Sequence, residues 1–553
     1  MLKRCVILAL LCLFAAGAMY AEGQMDKTST GVKIKDFTIF LAREMDNYPK
    51  EGTYLGKVTT DKTGARMKWS FPVGDIKQKI GTLIASGNYP DLMDARNDNQ
   101  ALYDAKAFIP LDDLIAKYGV NCKKLYGDRI DMLRKADGHI YWLPQLFPYG
   151  NKTRRTMDAL GLYVQKRVLK DLGWPMWKSL EEATDALIAY AKRNPVTNGK
   201  KTLVWTALTK DWREFAFMNA PHVFSGHPND GDFNVDYTNG RWVATPYYNT
   251  QDAYRVYKIY NKIFLAGLYD TESFVADYDQ YLARLAQGNV LAFCDQKWQM
   301  DQSNRLLKKQ GGDLWYVCLP VTMAGYKEEM MGPLDAQVSE GVGITVKCQD
   351  PVTAFKWMDY LASEEFQILK QWGVKGENYL VDKNGMFYRT PEMVKKWKDT
   401  KWRDKVFGQR YFIEIIGWHH NSVYSDGKNA VNPENQPSVF QADLYDTEKE
   451  VLRAYHKDTW ADFFNQPDLR RMAYFPLWTI KRPTGSDVDI AYNKLIETRR
   501  KYHPQMVMAP AGQYDRIWNE YLAALKKIPN LDKYRQFYQN EMDKRLRMNG
   551  VLK

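Results

Sequence analysis

The sequence ASGNYPDLMDA at residues 85–95 joins a predicted helix to a predicted strand. Apolar residues recur at helical spacing over residues 76–84, and Gly87 and Pro90 then end the helix. Asp91 follows at once, before a short apolar pair. A helix that turns directly into a buried strand is typical of α/β proteins, and here it leaves a carboxylate at the junction.

Strands and helices alternate on both sides of this stretch. The segments KIKDFTIFLA (33–42) and ARMKWSFPV (65–73) predict strands, and GHIYWLP (138–144) predicts another that proline ends. Helices are predicted over residues 74–86 and 109–119. The alternation favours an α/β class in which strands are buried between helices.

The remaining elements continue this pattern as far as residue 373. Helices are predicted over residues 156–173, 179–194, 250–267 and 350–373, and strands over residues 289–295, 313–320 and 340–348. Ser179 and Glu182 form a capping-box pattern at the start of one of these helices. Beyond them the chain is predicted to be mainly helical.

Length and charge limit the classes of function. A chain of 553 residues exceeds what one core usually organises, so two or more lobes are expected. The formal net charge is +12, but basic and acidic residues are interspersed, as in KKWKDTKWRDK (395–405). No RNP motif, zinc finger or helix-turn-helix signature accompanies them, so nucleic-acid binding is not predicted. A basic surface could favour an anionic ligand or be an ordinary solvated face.

The first 21 residues predict an export signal. A basic start is followed by an apolar segment at 5–18 that is short for a membrane span, and small residues allow cleavage after Ala18 or Ala21. Leu11 precedes Cys12, where a lipoprotein would want a small residue, so lipidation is not expected. The protein is therefore predicted to be periplasmic or extracellular.

The cysteines beyond the signal show no metal-binding spacing. They are Cys122, Cys294, Cys318 and Cys348. A disulfide between Cys294 and Cys318 on neighbouring strands and buried free thiols are both open interpretations.

Four motifs, in this order, resemble a known family. They are ASGNYPDLMDA (85–95), GHIYWLP (138–144), LKDLGWPMWKSLEEATDAL (169–187) and the run from Asp350 to Gly385. The sequence is similar to the large family 1 extracellular solute-binding proteins of bacterial ABC importers, especially those that bind carbohydrates and alginate-like oligosaccharides. Together the motifs cover most of residues 33–390.

The resemblance implies an α/β, two-lobed fold of the type II periplasmic-binding-protein kind, with hinge crossovers and a helix-rich C-terminal part. The implied boundaries place lobe 1 at residues 32–146 and 341–378, and lobe 2 at residues 147–335 and 379–553. Hinge segments are expected near residues 145–150 and 336–342.

The resemblance also implies a function. The protein would capture an oligosaccharide or glycoside between its lobes and deliver it to a membrane permease, as a monomer without cofactor. The sequence contains no GxSxG, HExxH or Walker motif, so catalysis is not predicted. An exported carbohydrate-active enzyme and a sensory protein that presents its ligand to a membrane receptor remain as alternatives.

One stretch departs from the family. Some alginate-binding relatives carry a calcium loop where this chain has NPVTNGKKTL (194–203). Asn194 replaces the first acid, and Lys201 and Leu203 occupy the region of later acids. A hard cation needs several oxygen ligands with net negative charge, so the loop is predicted to fold without calcium, and no metal site is predicted.

Sugar-binding sites combine flat aromatic rings with polar groups. We therefore select aromatic and acidic residues that lie where strands end or loops begin as candidates. The candidate ligand-binding residues are Asp91, Trp142, Tyr149, Trp212, Trp298, Glu340 and Trp372. The resemblance implies that Asp91 lies at the carboxyl edge of the sheet, where it would bind sugar hydroxyls or cap a helix. Trp298 matches a stacking position of relatives, whereas hinge or core packing is an equal alternative for Trp142 and Trp372.

Overall fold

The computed structural model describes residues 31, 33–135, 137–146, 155–156, 160–331, 340–418, 423–465, 474, 476–548 and 551–552. These residues form two compact units. Unit 1 contains the described residues up to Gln145, together with Glu340–Gly373 and Lys395–Gly417. Unit 2 contains those within Leu146–Ser339, Val374–Val394 and Trp418–Lys553. The predicted signal lies outside the described residues.

Unit 1 is built on a mixed five-stranded sheet. Its strands, in spatial order, are Ala65–Ser70, Lys35–Leu41, Leu92–Asp94, Val342–Ile344 and Trp142–Leu143. The first three run parallel to one another, and Val342–Ile344 is antiparallel to both of its neighbours. Its helices are Tyr54–Thr63, Ile76–Ser86, Asn99–Asp104, Asp112–Tyr118, Val120–Tyr126, Pro351–Leu361, Glu364–Trp372 and Gln409–Phe412.

The stretch at residues 85–95 folds as predicted. The side chain of Asp75 accepts a hydrogen bond from the backbone N–H of Gln78 and caps the start of the helix Ile76–Ser86. Gly87 ends the helix in the left-handed region at φ 64°, which glycine adopts without steric penalty. The strand Leu92–Asp94 follows, with all three residues buried.

Unit 2 is built on a four-stranded sheet and a larger set of helices. Its strands, in spatial order, are Tyr316–Leu319, Leu160–Gln165, Val290–Gln296 and Leu203–Trp205. Its longer helices are Leu180–Arg193, Gln251–Leu265, Tyr278–Ala286, Lys297–Lys309, Asp446–Ala454, Asp487–Val507, Tyr514–Leu525 and Leu531–Met548. The α/β class and the helix-rich C-terminal part are therefore confirmed.

The helix predicted over residues 156–173 is wrong for its first half. Leu160–Gln165 is a strand, buried at all six positions, and only Lys166–Asp171 is helical. The strand pairs with Val290–Gln296 on one side and Tyr316–Leu319 on the other. A short apolar run has no periodicity that separates a central strand from a buried helix, so the neighbouring strands decide its conformation.

The C-terminal helices of unit 2 hold the start of a β-hairpin whose strands are Phe233–Thr238 and Arg241–Pro246. Arg499 is fully buried, forms an ion pair with Asp232, and donates a 2.8 Å hydrogen bond to the carbonyl of Met218. The hydroxyl of Tyr534 donates to the other carboxylate oxygen of Asp232, at 2.8 Å. A buried charge is tolerated because it is paired and hydrogen-bonded.

Two segments differ from the predicted division of the chain. Residues 374–378 were predicted in lobe 1, whereas Val374–Val394 groups with unit 2. The prediction placed residues 379–553 in the second lobe, whereas Lys395–Gly417 groups with unit 1. Within unit 1, the amide of Gln409 donates to the backbone carbonyl of Lys370 at 2.9 Å, and the ring of Phe412 packs against Phe366. These contacts join residues far apart in sequence, and no local pattern indicates them.

Of the two open interpretations of Cys294 and Cys318, the structure excludes the disulfide and shows free thiols. The strand Leu160–Gln165 lies between the strands that carry the two cysteines, and both thiols are free. Two strand spacings, about 10 Å, exceed the reach of a disulfide. Burial instead raises the pKa of both thiols. In the described part of the chain, no helix combines the length and apolar character that crossing a membrane requires.

Candidate functional site

Two exposed tryptophans stack on each other at the surface of unit 2. Trp298 is the second residue of the helix Lys297–Lys309, which begins where the strand Val290–Gln296 ends. Trp212 lies in the short 3₁₀ turn Asp211–Glu214. The ring centroids of the two indoles are 5.7 Å apart, and the ring planes are inclined by 18°. We call this pair the indole stack.

Phe215 supports the indole stack. Its ring centroid lies 5.9 Å from that of Trp298, with the planes inclined by 21°. The side chains of Trp212 and Trp298 are 62% and 44% exposed, which is unusual for the largest apolar side chains. An exposed aromatic pair of this kind is a candidate surface for a ligand with an apolar face.

A cation holds Trp212 in place. The guanidinium of Arg213 lies 4.7 Å from the centroid of the Trp212 ring and 4.4 Å from that of the Tyr278 ring. Asp211, at φ 54°, accepts a 2.9 Å hydrogen bond from the backbone N–H of Arg213. A non-glycine residue in the left-handed region is strained, and this hydrogen bond stabilises it locally.

One ion pair, at Glu214, and hydrogen bonds to Asp295 anchor the elements that carry the indole stack. Glu214 accepts two hydrogen bonds from Arg500, at 2.9 Å from Nε and 2.6 Å from Nη2. Burial raises the pKa of Glu214, and Arg500 partly offsets this effect. Asp295, the penultimate residue of its strand, accepts 2.7 Å hydrogen bonds from the Gln299 amide and the Gln296 backbone N–H. Burial raises the pKa of Asp295 to about 6.

Unit 1 carries a cluster of charged side chains at the carboxyl end of the strand Leu92–Asp94. Asp94 is fully buried and accepts a 2.8 Å hydrogen bond from Nη2 of Arg43. Its other oxygen accepts from the backbone N–H groups of Arg96, at 2.8 Å, and Gly341, at 3.4 Å. Ligands of open α/β sheets bind beyond such carboxyl ends.

Glu340 and Glu414 complete this charge cluster. Arg96, at φ 50°, contacts Oε2 of Glu340 at 3.0 Å and Oε2 of Glu414 at 2.9 Å, and Arg43 lies 3.2 Å from the same Glu414 oxygen. Burial would raise the pKa of Glu414, but the two guanidiniums outweigh it and lower that pKa to about 2. The cluster therefore keeps Glu414 ionised across the physiological range.

Asp91 lies at the opposite end of the same strand. It precedes Leu92–Asp94, so it occupies the amino end, whereas the sequence argument placed it at the carboxyl edge. One of its carboxylate oxygens accepts hydrogen bonds from the backbone N–H and the hydroxyl of Thr38, both at 2.8 Å. These bonds tie the strand to its parallel neighbour, Lys35–Leu41.

The other tryptophan candidates are buried in unit 1. Trp142 is 3% exposed and packs against Phe108, with 5.9 Å between ring centroids. Trp372 is completely buried at the last position of the helix Glu364–Trp372. Tyr149 lies outside the described residues. The structure thus brings Trp212 and Trp298 together and places Glu340 in the charge cluster.

The loop at residues 194–203 forms a small hairpin from Val196–Thr197 and Lys200–Lys201. The hydroxyls of Thr197 and Thr202 are 2.8 Å apart, and Arg167 Nη2 donates to the Thr197 hydroxyl at 2.8 Å. Within the described residues, no group of three or more acidic, histidine or cysteine side chains is arranged to hold a metal ion.

The sequence model of a protein family described as bacterial extracellular solute-binding protein matches residues 57–377. The chain belongs to this family. The resemblance drawn from the sequence motifs is thereby confirmed. The match covers every strand of the unit 1 sheet except Lys35–Leu41. It also includes both tryptophans of the indole stack.

A curated relative of this solute-binding protein is the fructooligosaccharide ABC transporter substrate-binding protein FusA of Streptococcus pneumoniae. The two are 26% identical over 254 residues, which is 43% of this chain and 45% of FusA. The alignment thus spans less than half the length of the relative.

Solved structures show the same fold at low sequence identity. The alginate-binding protein AlgQ2, solved without calcium ion, is 18% identical with a TM-score of 0.62, over 92% of this solute-binding protein and 98% of that chain. An HMO-binding, ABC-transporter-associated solute-binding protein from Bifidobacterium longum infantis is 17% identical with a TM-score of 0.65, over 92% and 99% of the two chains. The two-lobed type II fold is therefore confirmed.

Sequence reasoning missed several residues that shape these surfaces. Phe215 and Arg213 stand beside Trp212 in the sequence, and their aromatic and cationic character was the available signal. Arg43, Arg96 and Glu414 had no such signal, because their cluster depends on contacts between segments far apart in this solute-binding protein.

Proposed function

We propose that this solute-binding protein captures an oligosaccharide or glycoside and delivers it chemically unaltered to the membrane permease of an ABC importer. The indole stack carries the proposal. Sugars present apolar C–H faces, and two exposed indoles offer the flat surface on which such faces pack. The names of FusA and the Bifidobacterium protein, both associated with ABC transporters, support the same assignment.

Polar groups beside the indole stack suit the hydroxyl rim of a sugar. The carboxylate of Asp211 is 46% exposed, and the guanidinium of its partner Arg213 supplies donors. Asp301, one helical turn beyond Trp298, pairs with Arg305 at 3.1 Å. A sugar hydroxyl donates one hydrogen bond and accepts others, so mixed donors and acceptors suit it better than either alone.

The remaining sequence candidates stay predictions. Among those of unit 1, Glu340 has the best supporting surroundings, because its carboxylate belongs to the charge cluster at the carboxyl end of the strand Leu92–Asp94. For Asp91, Trp142 and Trp372, the observed hydrogen bonds and burial favour a role in holding the unit together.

Export, cleavage after Ala18 or Ala21, action in the periplasm or outside the cell, and a monomeric state belong to the same proposal. The description of the family as extracellular supports export. Non-catalytic capture is favoured over an exported carbohydrate-active enzyme because the named relatives are binding proteins. Genome context distinguishes import from a sensory role, since adjacent permease genes would favour import.

A thermal-shift screen of purified protein against neutral and acidic oligosaccharides tests capture. A ligand present at 100 times its Kd should stabilise the folded state by about 2.7 kcal/mol and raise Tm accordingly. The bound saccharide is then released by denaturation and its mass measured. Recovery of the intact compound supports capture, whereas shortened products would support the enzyme, and the absence of any saccharide-induced shift would contradict the proposal.

A further inference from the structure

A second surface, on unit 1, is rich in lysine. The helix Tyr54–Thr63 packs against the π-helical turn Trp402–Phe407, and the ring of Tyr54 stacks on that of Phe407 with 5.5 Å between centroids and planes inclined by 14°. Four lysines belong to or directly precede the elements that form this contact, or belong to the helix Pro391–Lys398, whose Trp397 packs against Phe407. They are Lys57, Lys395, Lys396 and Lys401, all exposed. We call them, together with the apolar side chains between them, the lysine face.

The lysines of this face lack acidic partners among the described residues. The side-chain ammonium groups of Lys57, Lys395 and Lys401 form no hydrogen bond or ion pair there, and that of Lys396 contacts only an aromatic ring, with Nζ 4.7 Å from the Trp402 centroid. The acids of the same segment do not cancel its charge, because residues 391–407 carry six lysines and arginines against three acids. Asp399 accepts from the backbone N–H of Trp402 at 3.2 Å.

Other basic residues nearby are neutralised. Arg403 pairs with Asp404 at 3.2 Å, and Lys405 pairs with Asp46 at 2.9 Å. Because these nearby cations are paired and the four lysines are not, the lysine face carries a net positive charge, on a chain whose formal net charge is +12. Such a surface attracts an anionic partner.

Apolar side chains are interleaved with the lysines. Val406 is 58% exposed and Tyr54 is 42% exposed, while Trp402 is half-buried beneath Lys396. Lysine combined with aromatic and aliphatic side chains is the composition of segments that lie in the headgroup region of a bilayer.

We propose that the lysine face binds the anionic headgroups of a phospholipid bilayer and holds the solute-binding protein against the membrane surface. Its cations are all lysines, which act as mobile point charges, whereas recognition of defined carboxylates on a protein partner favours the rigid fork of arginine. Each lysine close to an anionic membrane strengthens binding by about fivefold. Ligand capture does not depend on this contact.

Vesicle co-sedimentation tests the proposal with the full-length secreted protein. We expect it to bind vesicles of equimolar phosphatidylglycerol and phosphatidylcholine, to ignore pure phosphatidylcholine, and to be released by high salt. The variant Lys57→Gln/Lys395→Gln/Lys396→Gln/Lys401→Gln should lose about two to three orders of magnitude in partitioning. A matched control removes the same charge from unit 2. It is Lys200→Gln/Lys201→Gln/Lys526→Gln/Lys527→Gln.

The control variant should retain most of the vesicle binding of the unmodified protein. Equal losses of vesicle binding in both variants would show that only the net charge of the protein matters. Absence of vesicle binding by the unmodified protein would show that the partner is not a membrane. Either result overturns the proposal. If the fourfold variant fails to fold, Lys395→Gln/Lys401→Gln leaves the Trp402 contact intact and should lose about 25-fold. Saccharide affinity, measured in parallel, should be unchanged in every variant.

Discussion

Trp212 and Trp298 lie with their ring planes only 18° apart, although one belongs to a short 3₁₀ turn and the other to the start of a long helix. Each indole therefore depends on the other for its orientation. Phe215, stacked on Trp298, extends the same support. Removing one ring should therefore disturb the orientation of the other.

Replacing Trp298 with alanine should weaken saccharide binding by about tenfold, because it removes one stacking ring and the support of the other. The conservative variant Trp298→Phe should restore much of the affinity, since a flat ring returns. Isothermal titration with a saccharide found in the screen measures both. An unchanged Kd for Trp298→Ala, with Tm preserved, would remove this residue from the binding surface.

The protein should prefer neutral oligosaccharides to uronic-acid oligomers. The cations beside the indole stack have acidic partners: Arg213 lies 3.4 Å from Asp211, and Lys297 lies 3.9 Å from Glu434. A ligand carboxylate would have to displace one of these acids. Titration of matched neutral and acidic oligosaccharides at two salt concentrations tests the preference. Tighter, salt-sensitive binding of the acidic series would contradict it.

The order of motifs in the sequence was enough to predict the α/β class and the family. Local signals also predicted a strand that ends just before Trp298, and the structure confirms that strand as Val290–Gln296. The central strand Leu160–Gln165 was missed because an apolar run of six residues fits either conformation until its neighbours are known. The charge cluster was missed for a related reason. Arg43 and Glu414 meet only after folding.

The hairpin at residues 194–203 should not respond to calcium. Its hydroxyl pair, Thr197 and Thr202, already receives a donor from Arg167, and Lys200 and Lys201 are exposed on the same hairpin. Neither a chelator nor added calcium should shift Tm, because stabilisation by mass action requires binding to the folded state. A rise in Tm on adding calcium, reversed by the chelator, would refute this prediction.

Asp230 should make unit 2 less stable as pH rises. Burial raises its pKa from 3.8 to about 8, although it accepts a 2.7 Å hydrogen bond from the backbone N–H of Leu477. Between these values the folded state holds a proton that the unfolded chain has released, so the free energy of unfolding falls with pH by about 1.4 kcal/mol per unit at most. The variant Asp230→Asn should lack this decline.

Between pH 6.5 and 8, the difference between wild type and Asp230→Asn isolates the effect of Asp230, because the opposite slope that buried Lys370 contributes above pH 7 is present in both proteins. Burial lowers the pKa of the neighbouring His222 from 6.5 to about 3, so His222 contributes a slope of opposite sign only below 6.5. Chemical denaturation across the window compares the wild type, Asp230→Asn and the exposed control Asp446→Asn, whose carboxylate is 98% exposed in the wild type. Parallel curves for wild type and Asp230→Asn would contradict the prediction.

Lys370 should have the opposite pH dependence, in unit 1. It is completely buried, its ammonium has no hydrogen-bond partner among the described residues, and burial lowers its pKa from 10.5 to about 7. Between these two values the folded state binds fewer protons than the unfolded chain, so the free energy of unfolding rises with pH. Below pH 7 the full cost of burying the charge is present.

Replacing Lys370 with methionine should therefore stabilise the protein at pH 7 by about 1–4 kcal/mol, because an apolar chain of similar length fills the same space without a charge. The gain should shrink toward pH 10, because the wild-type amine is already neutral in the folded state and the unfolded chain begins to lose its proton near pH 10.5. Lys356→Met, at an exposed position of the preceding helix, is the matched control and should change stability little. Denaturant titrations at pH 7 and pH 10 measure these changes in the free energy of unfolding. A Lys370→Met variant less stable than wild type at pH 7 would contradict the prediction, because it would mean that the buried ammonium is stabilised by its surroundings.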